Sequence, residues 1–248
     1  MDLGLRDKVC VVTGSTGGIG LAVAQQLQGE RALVVTSGRS PEGIGDLHVS
    51  VDLSLPDAPQ RLIESARAQF GRVDCLVNNV GWAEIHRFEE LTEEMWERAW
   101  QLNVMSAVRA TQAVLPGMRE RGSGVIVNVS STAAKRPSTG MPDYSVTKAA
   151  MLSLSRLVAD LYARDGIRCN AVAPGPTATG AWLGEGGLAD QQGNRDEVLA
   201  KVAAGRPLSR YAEPEEIAAV VVFLCSERAS YVTGAAWSAD GGTVPIIV

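Results

Sequence analysis

The chain has 248 residues, a length that suits one α/β domain with a sizeable hydrophobic core. A hydrophobic fraction of 46% and a charged fraction of 21% are ordinary for a globular protein. The formal net charge of −5 offers no basic surface for nucleic acid or an anionic membrane, and no stretch approaches the roughly 20 apolar residues that span a bilayer. The first residues do not resemble a signal peptide, so we expect a cytoplasmic protein that binds neither nucleic acid nor membrane.

Cysteine and histidine usage argues against a disulfide framework or a metal site. The widely spaced cysteines are Cys10, Cys75, Cys169 and Cys225. Three of them fall within or beside predicted strands, which favours buried free thiols in a reducing compartment. His48 and His86 are the only histidines, so we expect no bound metal and no histidine-based nucleophilic chemistry.

Short apolar runs alternate with longer helical patterns, which predicts a parallel sheet built from βαβ units. The predicted strands are Val9–Thr13, Ala32–Thr36, Leu47–Val51, Val73–Val77, Gly124–Val129, Ile167–Val172 and Ala235–Ala239. The predicted helices are Gly18–Gln28, Asp57–Phe70, Thr92–Arg121, Tyr144–Arg164, Arg195–Ala204 and Pro214–Cys225. No repeat or linker divides the chain, so residues 1–248 are predicted to form one α/β domain. The irregular, glycine-rich segment Gly175–Gly193 indicates a mobile lid over a site, around residues 176–205.

The first predicted strand runs into a glycine-rich turn and then a helix. The turn reads Gly14-Ser15-Thr16-Gly17-Gly18-Ile19-Gly20. Such a turn lets backbone N–H groups approach a pyrophosphate, whose charge the helix N-terminus favours. The spacing differs from the usual GxGxxG of dinucleotide sites, and a plain tight turn is the alternative. Its position after the first strand favours the phosphate site.

The second strand leads into Gly38 and Arg39, where an acidic residue would bind the ribose hydroxyls of NAD. Arg39 instead offers a planar guanidinium suited to a 2′-phosphate, which predicts NADP(H) in preference to NAD(H). A solvated surface arginine is the alternative. Asp52, followed by Leu53, closes the third strand and is placed to accept a hydrogen bond from the adenine amine, or else to cap the turn before Pro56.

Tyr144 and Lys148 lie four residues apart, so a helix would present the phenol and the ammonium on one face. A free tyrosine has a pKa near ~10, and a close positive charge lowers it toward the range useful for acid–base catalysis. Ser131 lies thirteen positions upstream of the tyrosine, just after a buried strand. Strand ends are where open α/β sheets place ligands, so these three residues are candidates for one catalytic site.

In this order and spacing, these motifs resemble the short-chain dehydrogenase/reductase family over nearly the whole chain. Thr13-Gly14 to Gly18-Ile19-Gly20 is similar to the family's TGxxxGIG cofactor turn, and Asn78-Asn79-Val80-Gly81 is similar to its NNAG motif. Further matches are the asparagine Asn103, the serine Ser131, the YxxxK pair Tyr144 and Lys148, and the Pro174-Gly175 motif followed by Thr177 and Thr179. Within that family, the motifs resemble especially those of the reductases that act on 3-oxoacyl thioesters of acyl carrier protein.

The resemblance implies a Rossmann-type, doubly wound parallel sheet of about seven strands flanked by helices. It also implies hydride transfer between a nicotinamide and a carbonyl or secondary alcohol, with Tyr144 as general acid or base. Lys148 would lower the pKa of Tyr144 and hold the nicotinamide ribose, Ser131 would hydrogen-bond the substrate oxygen, and Asn103 would hold a water molecule. Thr179 or Thr177 would contact the nicotinamide amide, and Asn79 and Gly81 would lie beside the cofactor.

Two departures from the family pattern affect the cofactor end. Val80 replaces the usual alanine and adds bulk near the cofactor, for which we expect a small adjustment. The segment Ser40–Asp46 is too short for the helix often found there, which should expose the adenine side of the site.

The substrate is a small molecule whose class stays open. The family's pocket corresponds to Gly81–Phe88, Thr132–Asp143 and Gly180–Asn194, which carry several apolar side chains. Lys135-Arg136 would meet an anionic acyl carrier, or is a solvated basic pair. A 3-oxoacyl thioester reductase and a small-ketone or sugar reductase both fit, as does an NAD-dependent sugar or alcohol dehydrogenase.

Wide apolar stripes on the helices Tyr144–Arg164 and Pro214–Cys225, with the apolar end Val244–Val248, predict a homo-oligomer. The family resemblance implies a homotetramer, with a homodimer as the alternative. The competing hypothesis is a nucleotide-binding redox sensor without catalysis. Such relatives typically lose the tyrosine or the lysine, whereas this chain keeps all four catalytic-site residues.

Overall fold

A seven-stranded parallel sheet forms the centre of the computed structural model, which describes residues 2–245. The strands are β1 (Val9–Val12), β2 (Leu33–Gly38), β3 (Leu47–Ser50), β4 (Cys75–Asn78), β5 (Gly124–Val129), β6 (Ile167–Pro174) and β7 (Ala236–Ala239). Their order in space is β3-β2-β1-β4-β5-β6-β7. The chain therefore reverses direction across the sheet between β1 and β4, and a doubly wound sheet binds ligands beyond the carboxyl ends of its strands at that point.

Nine α-helices cover the two faces of the sheet in the described part of the chain. They are α1 (Gly18–Gly29), α2 (Ala58–Phe70), α3 (Glu93–Trp100), α4 (Ser106–Arg121), α5 (Thr132–Lys135), α6 (Pro142–Tyr162), α7 (Gly180–Leu183), α8 (Arg195–Ala204) and α9 (Pro214–Cys225). The predicted α/β class and the parallel, Rossmann-type sheet are confirmed, and every predicted strand is present with its ends shifted by at most two residues.

The predicted helix Thr92–Arg121 is helical from Glu93 to Arg121, but it is not α-helical throughout. It divides into α3 and α4 around a π-helical turn, Gln101–Met105. A π turn inserts one extra residue into the helical ladder and is common at functional sites. Here it carries Asn103, whose side chain is buried and hydrogen-bonded outside its own helix. The predicted helix Tyr144–Arg164 starts earlier, at Pro142, because proline suits the first turn of a helix.

Two apolar layers sandwich the sheet. One layer lies between the sheet and the helices α1 and α9, and the other lies between the sheet and the helices α2, α4 and α6. The strands β1 and β4 are buried along their whole length, as expected for parallel strands covered on both faces. Burying both faces fixes the register of these strands, and with it the position of the loops that follow them.

A buried polar network joins the ends of the central strands to α6. Asn78 Nδ2 donates to Asn128 Oδ1 at 2.8 Å, and Asn128 Nδ2 donates to Ser155 Oγ at 2.8 Å. Because an unpaired amide would be costly at full burial, this network specifies how β4, β5 and α6 fit together. It therefore holds the helix that carries the candidate catalytic pair against the strand that precedes Ser131.

The burial of side chains bears on the predictions made for the cysteines and for the apolar helices. All four cysteines are buried and free. Helix α9 buries most of its apolar residues within the chain, whereas α6 leaves Val146, Leu157 and Leu161 about half exposed. Between residues 2 and 245, no helix has the length and apolar character needed to cross a membrane. Of the predicted apolar end, residues 246–248 lie outside the described residues.

Candidate active site

The glycine-rich turn lies between β1 and α1 and is hydrogen-bonded to the loop after β4. Gly14 and Gly18 have φ angles of +62° and +53°, which side-chain-bearing residues rarely adopt. A Cβ atom on Gly20 would lie 2.4 Å from the Gly14 carbonyl oxygen, so this position has no room for a side chain. Asn79 Nδ2 donates to the carbonyl oxygens of Thr13 and Gly14, each at 3.0 Å. Apart from the Ser15 N–H, which is bonded to β2, the turn thus leaves backbone N–H groups available to an anion.

Ser15 ties the turn to the end of β2. Its backbone N–H donates to the Ser37 carbonyl at 2.9 Å, and its hydroxyl accepts from the Ser37 N–H at 2.9 Å. A Cβ atom on Gly38 would lie 2.5 Å from Thr16 Cγ2, so this close approach requires glycine. Arg39, the residue after Gly38, is exposed at the end of β2. The structure brings these predicted cofactor residues together.

Asp52 lies after β3 and caps its own turn. Its Oδ1 accepts hydrogen bonds from the Ser54 N–H at 3.0 Å and from the Ser54 hydroxyl at 2.8 Å. These bonds lower the pKa of Asp52, and the charge of Arg39 lowers it further. The turn-capping alternative therefore accounts for one carboxylate oxygen. Leu53 is buried beneath the loop, so its side chain contributes to the core.

Lys148 is almost completely buried, with 3% of its surface exposed. Its Nζ donates to the Val129 carbonyl oxygen at 2.9 Å. A Cβ atom on Gly81 would lie 3.0 Å from this nitrogen, so the glycine of the NNVG segment gives the ammonium its space. Removal from water disfavours the charged form and lowers the pKa of Lys148 to about 8.

Tyr144 lies one helical turn before Lys148, whose Nζ is 5.6 Å from the centre of the phenol ring. Burial raises the pKa of Tyr144 above its ordinary value, and a hydrogen-bonding interaction with Ser131 opposes this shift. The sequence predicts that Lys148 lowers this pKa. In this geometry the desolvation of the phenol dominates, since the ammonium is directed at the Val129 carbonyl. Ser131 also caps the short helix α5, because its hydroxyl accepts from the Ala133 N–H at 3.1 Å.

Asn103 connects the loop after β4 to α6 through its side chain. Its Oδ1 accepts from the Trp82 N–H at 2.8 Å, while its Nδ2 donates to the Trp82 carbonyl and to Thr147 Oγ1, each at 3.0 Å. Both amide hydrogens are therefore used. A water molecule at Asn103, as the family resemblance implies, would have to donate to the remaining lone pair of Oδ1 or bind the backbone.

Sequence reasoning missed Thr147, which lies between the catalytic candidates. Its hydroxyl donates to the Tyr144 carbonyl at 2.8 Å and accepts from Asn103. The sequence offered one signal, a threonine three residues after the tyrosine. A threonine hydroxyl that donates to a backbone carbonyl in its own helix explains such a residue without a functional role.

The Pro174-Gly175 motif ends β6 next to the glycine turn. The Gly175 N–H donates to the Ala239 carbonyl at 3.0 Å, which fixes the end of β6 against β7. Thr177 is buried, and its hydroxyl donates back to the Gly175 carbonyl at 3.0 Å. A Cβ atom on Gly18 would lie 3.1 Å from Thr179 Cγ2, so Thr179 touches the turn at the start of the irregular segment.

The three segments predicted to line a substrate pocket meet in the structure. The His86 N–H donates to the Gly140 carbonyl at 3.0 Å, and the Ile85 N–H donates to Gln191 Oε1 at 2.9 Å. Lys135 Nζ donates to the Ala236 carbonyl at 2.8 Å and to Ser238 Oγ at 2.9 Å. The basic pair is therefore not free to meet an anion as a unit, because Lys135 is engaged with β7.

Comparisons with known proteins agree with this geometry. A family model described as enoyl-(acyl carrier protein) reductase matches residues 14–244. An uncharacterized oxidoreductase of Bacillus subtilis is 38% identical over 98% of this chain and 99% of its own. An acetoacetyl-CoA reductase of Acinetobacter is 35% identical over 96% of this chain and 98% of its own. The crystal structure of L-sorbose reductase from Gluconobacter frateurii, complexed with NADPH and L-sorbose, superposes with a TM-score of 0.93 at 38% identity and covers 100% of both chains.

Because Lys148 is buried, we expect the free energy of unfolding to depend on pH. An ordinary lysine has a pKa of 10.5, and Lys148 has one of about 8, so the folded chain carries the full cost of the buried charge below pH 8. That cost is at most about 3 kcal/mol and is relieved as the pH rises from 8 toward 10.5. We expect Lys148→Met to raise the free energy of unfolding at pH 7 by about 1–2 kcal/mol, measured by urea denaturation.

The difference in free energy of unfolding between Lys148→Met and wild type should shrink between pH 7 and pH 9.5. Lys201→Met, at an exposed position on α8, is the matched control and should change stability by less than about 0.5 kcal/mol. A Lys148→Met protein that is less stable than wild type at pH 7, or that gains further advantage at high pH, would contradict this account.

Proposed function

The chain belongs to the short-chain dehydrogenase/reductase family and is an oxidoreductase, and from this premise we propose that it is an NADP(H)-dependent carbonyl reductase. The observation that carries the proposal is the buried Lys148 placed one helical turn after Tyr144, with Ser131 beside the phenol. These groups converge on the carboxyl end of β5, next to the glycine turn. The reaction would interconvert a carbonyl compound and its secondary alcohol.

Bound NADPH would supply the hydride that reduces the carbonyl carbon. Tyr144 would give its phenolic proton to the carbonyl oxygen as negative charge develops there, and Ser131 would donate a hydrogen bond to the same oxygen. Burial raises the pKa of Tyr144, so the phenol keeps its proton near neutral pH and would be present as the donor in carbonyl reduction, although the raised value makes it a weaker acid.

Lys148 would provide positive charge beside the phenolate left after proton transfer. Its pKa of about 8 lies near neutrality, so the side chain can carry a proton at working pH and also release it. Asn103 would fix the surrounding loop and α6 and would hold a water molecule that resupplies protons. Gly81 contributes by leaving space at the Lys148 ammonium.

The cofactor would lie across the switch point of the sheet. The glycine turn, with Gly14, Ser15, Thr16, Gly18 and Ile19, would hold the pyrophosphate, with Asn79 and Thr179 bordering it. Arg39 would bind the 2′-phosphate, which supports NADP(H) over NAD(H). A structural neighbour of 38% identity was solved with NADPH, which supports the same preference.

The competing functions are weaker on specific grounds. A redox sensor without catalysis has no need of a buried lysine beside a half-buried tyrosine, and this chain keeps both.

The segment of residues 176–205 would act as a lid within a single domain of residues 1–248. The Ile85–Gln191 hydrogen bond supports that role because it joins the segment to the opposite wall. The four buried free thiols support a cytoplasmic location.

Substitution of Tyr144 tests the chemistry. We expect Tyr144→Phe to retain the fold and NADPH affinity while lowering kcat by at least about 1,000-fold, because the proton donor is lost. The assay follows NADPH oxidation against ketones, ketoses and 3-oxoacyl thioesters, with NADPH binding measured by fluorescence. Tyr162→Phe, which removes a phenol at the far end of the same helix, is the control. Retained turnover in Tyr144→Phe would overturn the proposal.

Substitution of Arg39 tests the cofactor preference. We expect Arg39→Ala to raise the dissociation constant of NADPH by about 10- to 100-fold while leaving that of NADH within about twofold, since only the 2′-phosphate contact disappears. Arg31→Ala, an exposed arginine before β2, is the matched control. Equal affinity of the wild type for NADPH and NADH would remove the basis of the preference.

We also propose a homotetramer, with a homodimer as the alternative. The exposed Val146, Leu157 and Leu161 on α6 and Trp237 on the edge strand β7 are apolar surfaces that a second copy would cover. Sedimentation equilibrium should give a mass near four times 26.2 kDa. Leu157→Asp with Leu161→Asp should reduce that mass, and a wild-type monomer at micromolar concentration would contradict the proposal.

A further inference from the structure

Glu84 and His86 form a polar pair on the extended segment after β4. His86 Nε2 lies 3.3 Å from Glu84 Oε2, and the same carboxylate oxygen accepts from Arg98 Nη2 at 2.8 Å. The Glu84 and His86 side chains are partly buried, with 31% and 19% of their surfaces exposed. Two bonds to one oxygen fix the carboxylate and orient the imidazole. The Glu84–His86 pair is therefore held in place before any substrate arrives.

The segment that carries the pair runs from the candidate lysine toward the candidate tyrosine. At its start, a Cβ atom on Gly81 would lie 3.0 Å from the Lys148 ammonium, and the Trp82 N–H donates to Asn103. At its end, the His86 N–H donates to the carbonyl of Gly140, four residues before Tyr144. The Ile85 N–H, between the two paired residues, donates to Gln191, so the pair lies where the three predicted pocket segments meet.

The pair presents hydrogen-bond acceptors that are not used within residues 2–245. The ring nitrogen Nδ1 of His86 makes no hydrogen bond there, so in the tautomer that donates from Nε2 to Glu84 it is available to accept from a ligand. Glu84 Oε1 likewise has no partner in that part of the chain. Acceptors of this kind at the wall of a pocket suit the hydroxyl groups of a ligand, which both donate and accept.

The charges near the pair disfavour an anionic substrate. The guanidinium of Arg98 is already paired with Glu84, so a phosphate or carboxylate would have to displace that carboxylate. Lys135 is hydrogen-bonded to β7 and is not offered to a ligand. An acyl thioester on a phosphopantetheine arm would therefore find an acidic group on this wall.

Two tryptophans lie on the segments predicted to line the pocket. Trp82 lies two residues before Glu84 and is 53% exposed, and Trp182 stands edge-on to Tyr211 with ring centres 5.6 Å apart. Indole rings supply flat apolar surface, which fits the C–H groups of a compact, hydroxylated carbon chain. Fixed acceptors beside aromatic surface are the combination that selects a polar, uncharged molecule.

We propose that the Glu84–His86 pair binds hydroxyl groups of the substrate and that the substrate class is a neutral polyhydroxylated ketone of the ketose type. This inference rests on the proposed carbonyl reductase function and names its substrate class. Glu84 and His86 would set specificity, since they hydrogen-bond the substrate away from the reacting carbonyl. Acyl thioesters and hydroxyl-free ketones would be poorer substrates because they leave the pair unsatisfied.

The test compares substrates in one set of variants. Wild type, His86→Leu, Glu84→Gln and the exposed-site control Glu89→Gln are assayed with NADPH against L-sorbose, D-fructose, cyclohexanone and acetoacetyl-CoA. We expect the wild type to prefer a ketohexose. We expect His86→Leu to lower kcat/KM for that ketohexose by about 10- to 100-fold, mainly through KM, with cyclohexanone changed by less than about threefold.

Rescue separates binding from folding. His86→Asn keeps a polar atom near the position of Nδ1 and should recover part of the ketohexose activity, whereas Glu89→Gln should match wild type. An equal loss on ketohexose and cyclohexanone, or no loss on either, would overturn the role of the pair. A wild type that reduces acetoacetyl-CoA but no ketohexose would overturn the substrate class while leaving the carbonyl reductase proposal intact.

A binding measurement keeps the two proposals distinguishable. If no carbonyl compound is reduced, the proposed function fails, and tryptophan fluorescence then decides the present inference. Quenching by L-sorbose or D-fructose in the wild type and its loss in His86→Leu would support a polyol-binding pair. Absence of quenching in the wild type would overturn it.

Discussion

The burial of one ammonium group, that of Lys148, is the constraint on which the rest of the site depends. A charge removed from water is costly unless its surroundings compensate, and here the Val129 carbonyl at 2.9 Å and the Tyr144 ring, whose centre is 5.6 Å from the ammonium, supply part of that compensation. The pKa of about 8 expresses the remaining cost. A fold that carries such a cost needs a rigid frame, which the fully buried central strands provide.

Several local features follow from accommodating that lysine. Gly81 is required because a side chain there would meet the ammonium, and the π turn directs Asn103 toward Trp82 and Thr147. Asn103 thereby closes the loop after β4 onto the helix that bears Tyr144 and Lys148. The candidate catalytic pair and the loop after β4 are joined by hydrogen bonds, and Asn79 of that loop is bonded to the glycine turn, so a disturbance at any of them should be felt at the others.

Much of this arrangement could be predicted from residue spacing, and some of it could not. The strand Gly124–Val129 and the helix Pro214–Cys225 match their predicted bounds because local hydrophobic pattern determines them. The helix Arg195–Ala204 buries none of its residues, and its start is fixed by the Asn194 side chain, which caps the first turn. The π turn within Thr92–Arg121 escaped prediction because no breaker residue marks it in the sequence, and the hydrogen bonds of Asn103 that accompany it are tertiary. The direction of the Tyr144 pKa shift escaped for a similar reason, since spacing reveals proximity to Lys148 but not desolvation.

The two histidines show how hydrogen-bond partners divide structural from functional roles. His48 uses both ring nitrogens, with Nδ1 2.8 Å from Thr36 Oγ1 and Nε2 3.0 Å from the Ser40 carbonyl. It thereby pins the short segment Ser40–Asp46, which has no helix to hold it beside the predicted adenine site. His86 uses only one ring nitrogen within the described chain, which leaves the other for the ligand proposed above. Sequence alone treats the two residues alike, and the difference lies entirely in which acceptors the fold places around each ring.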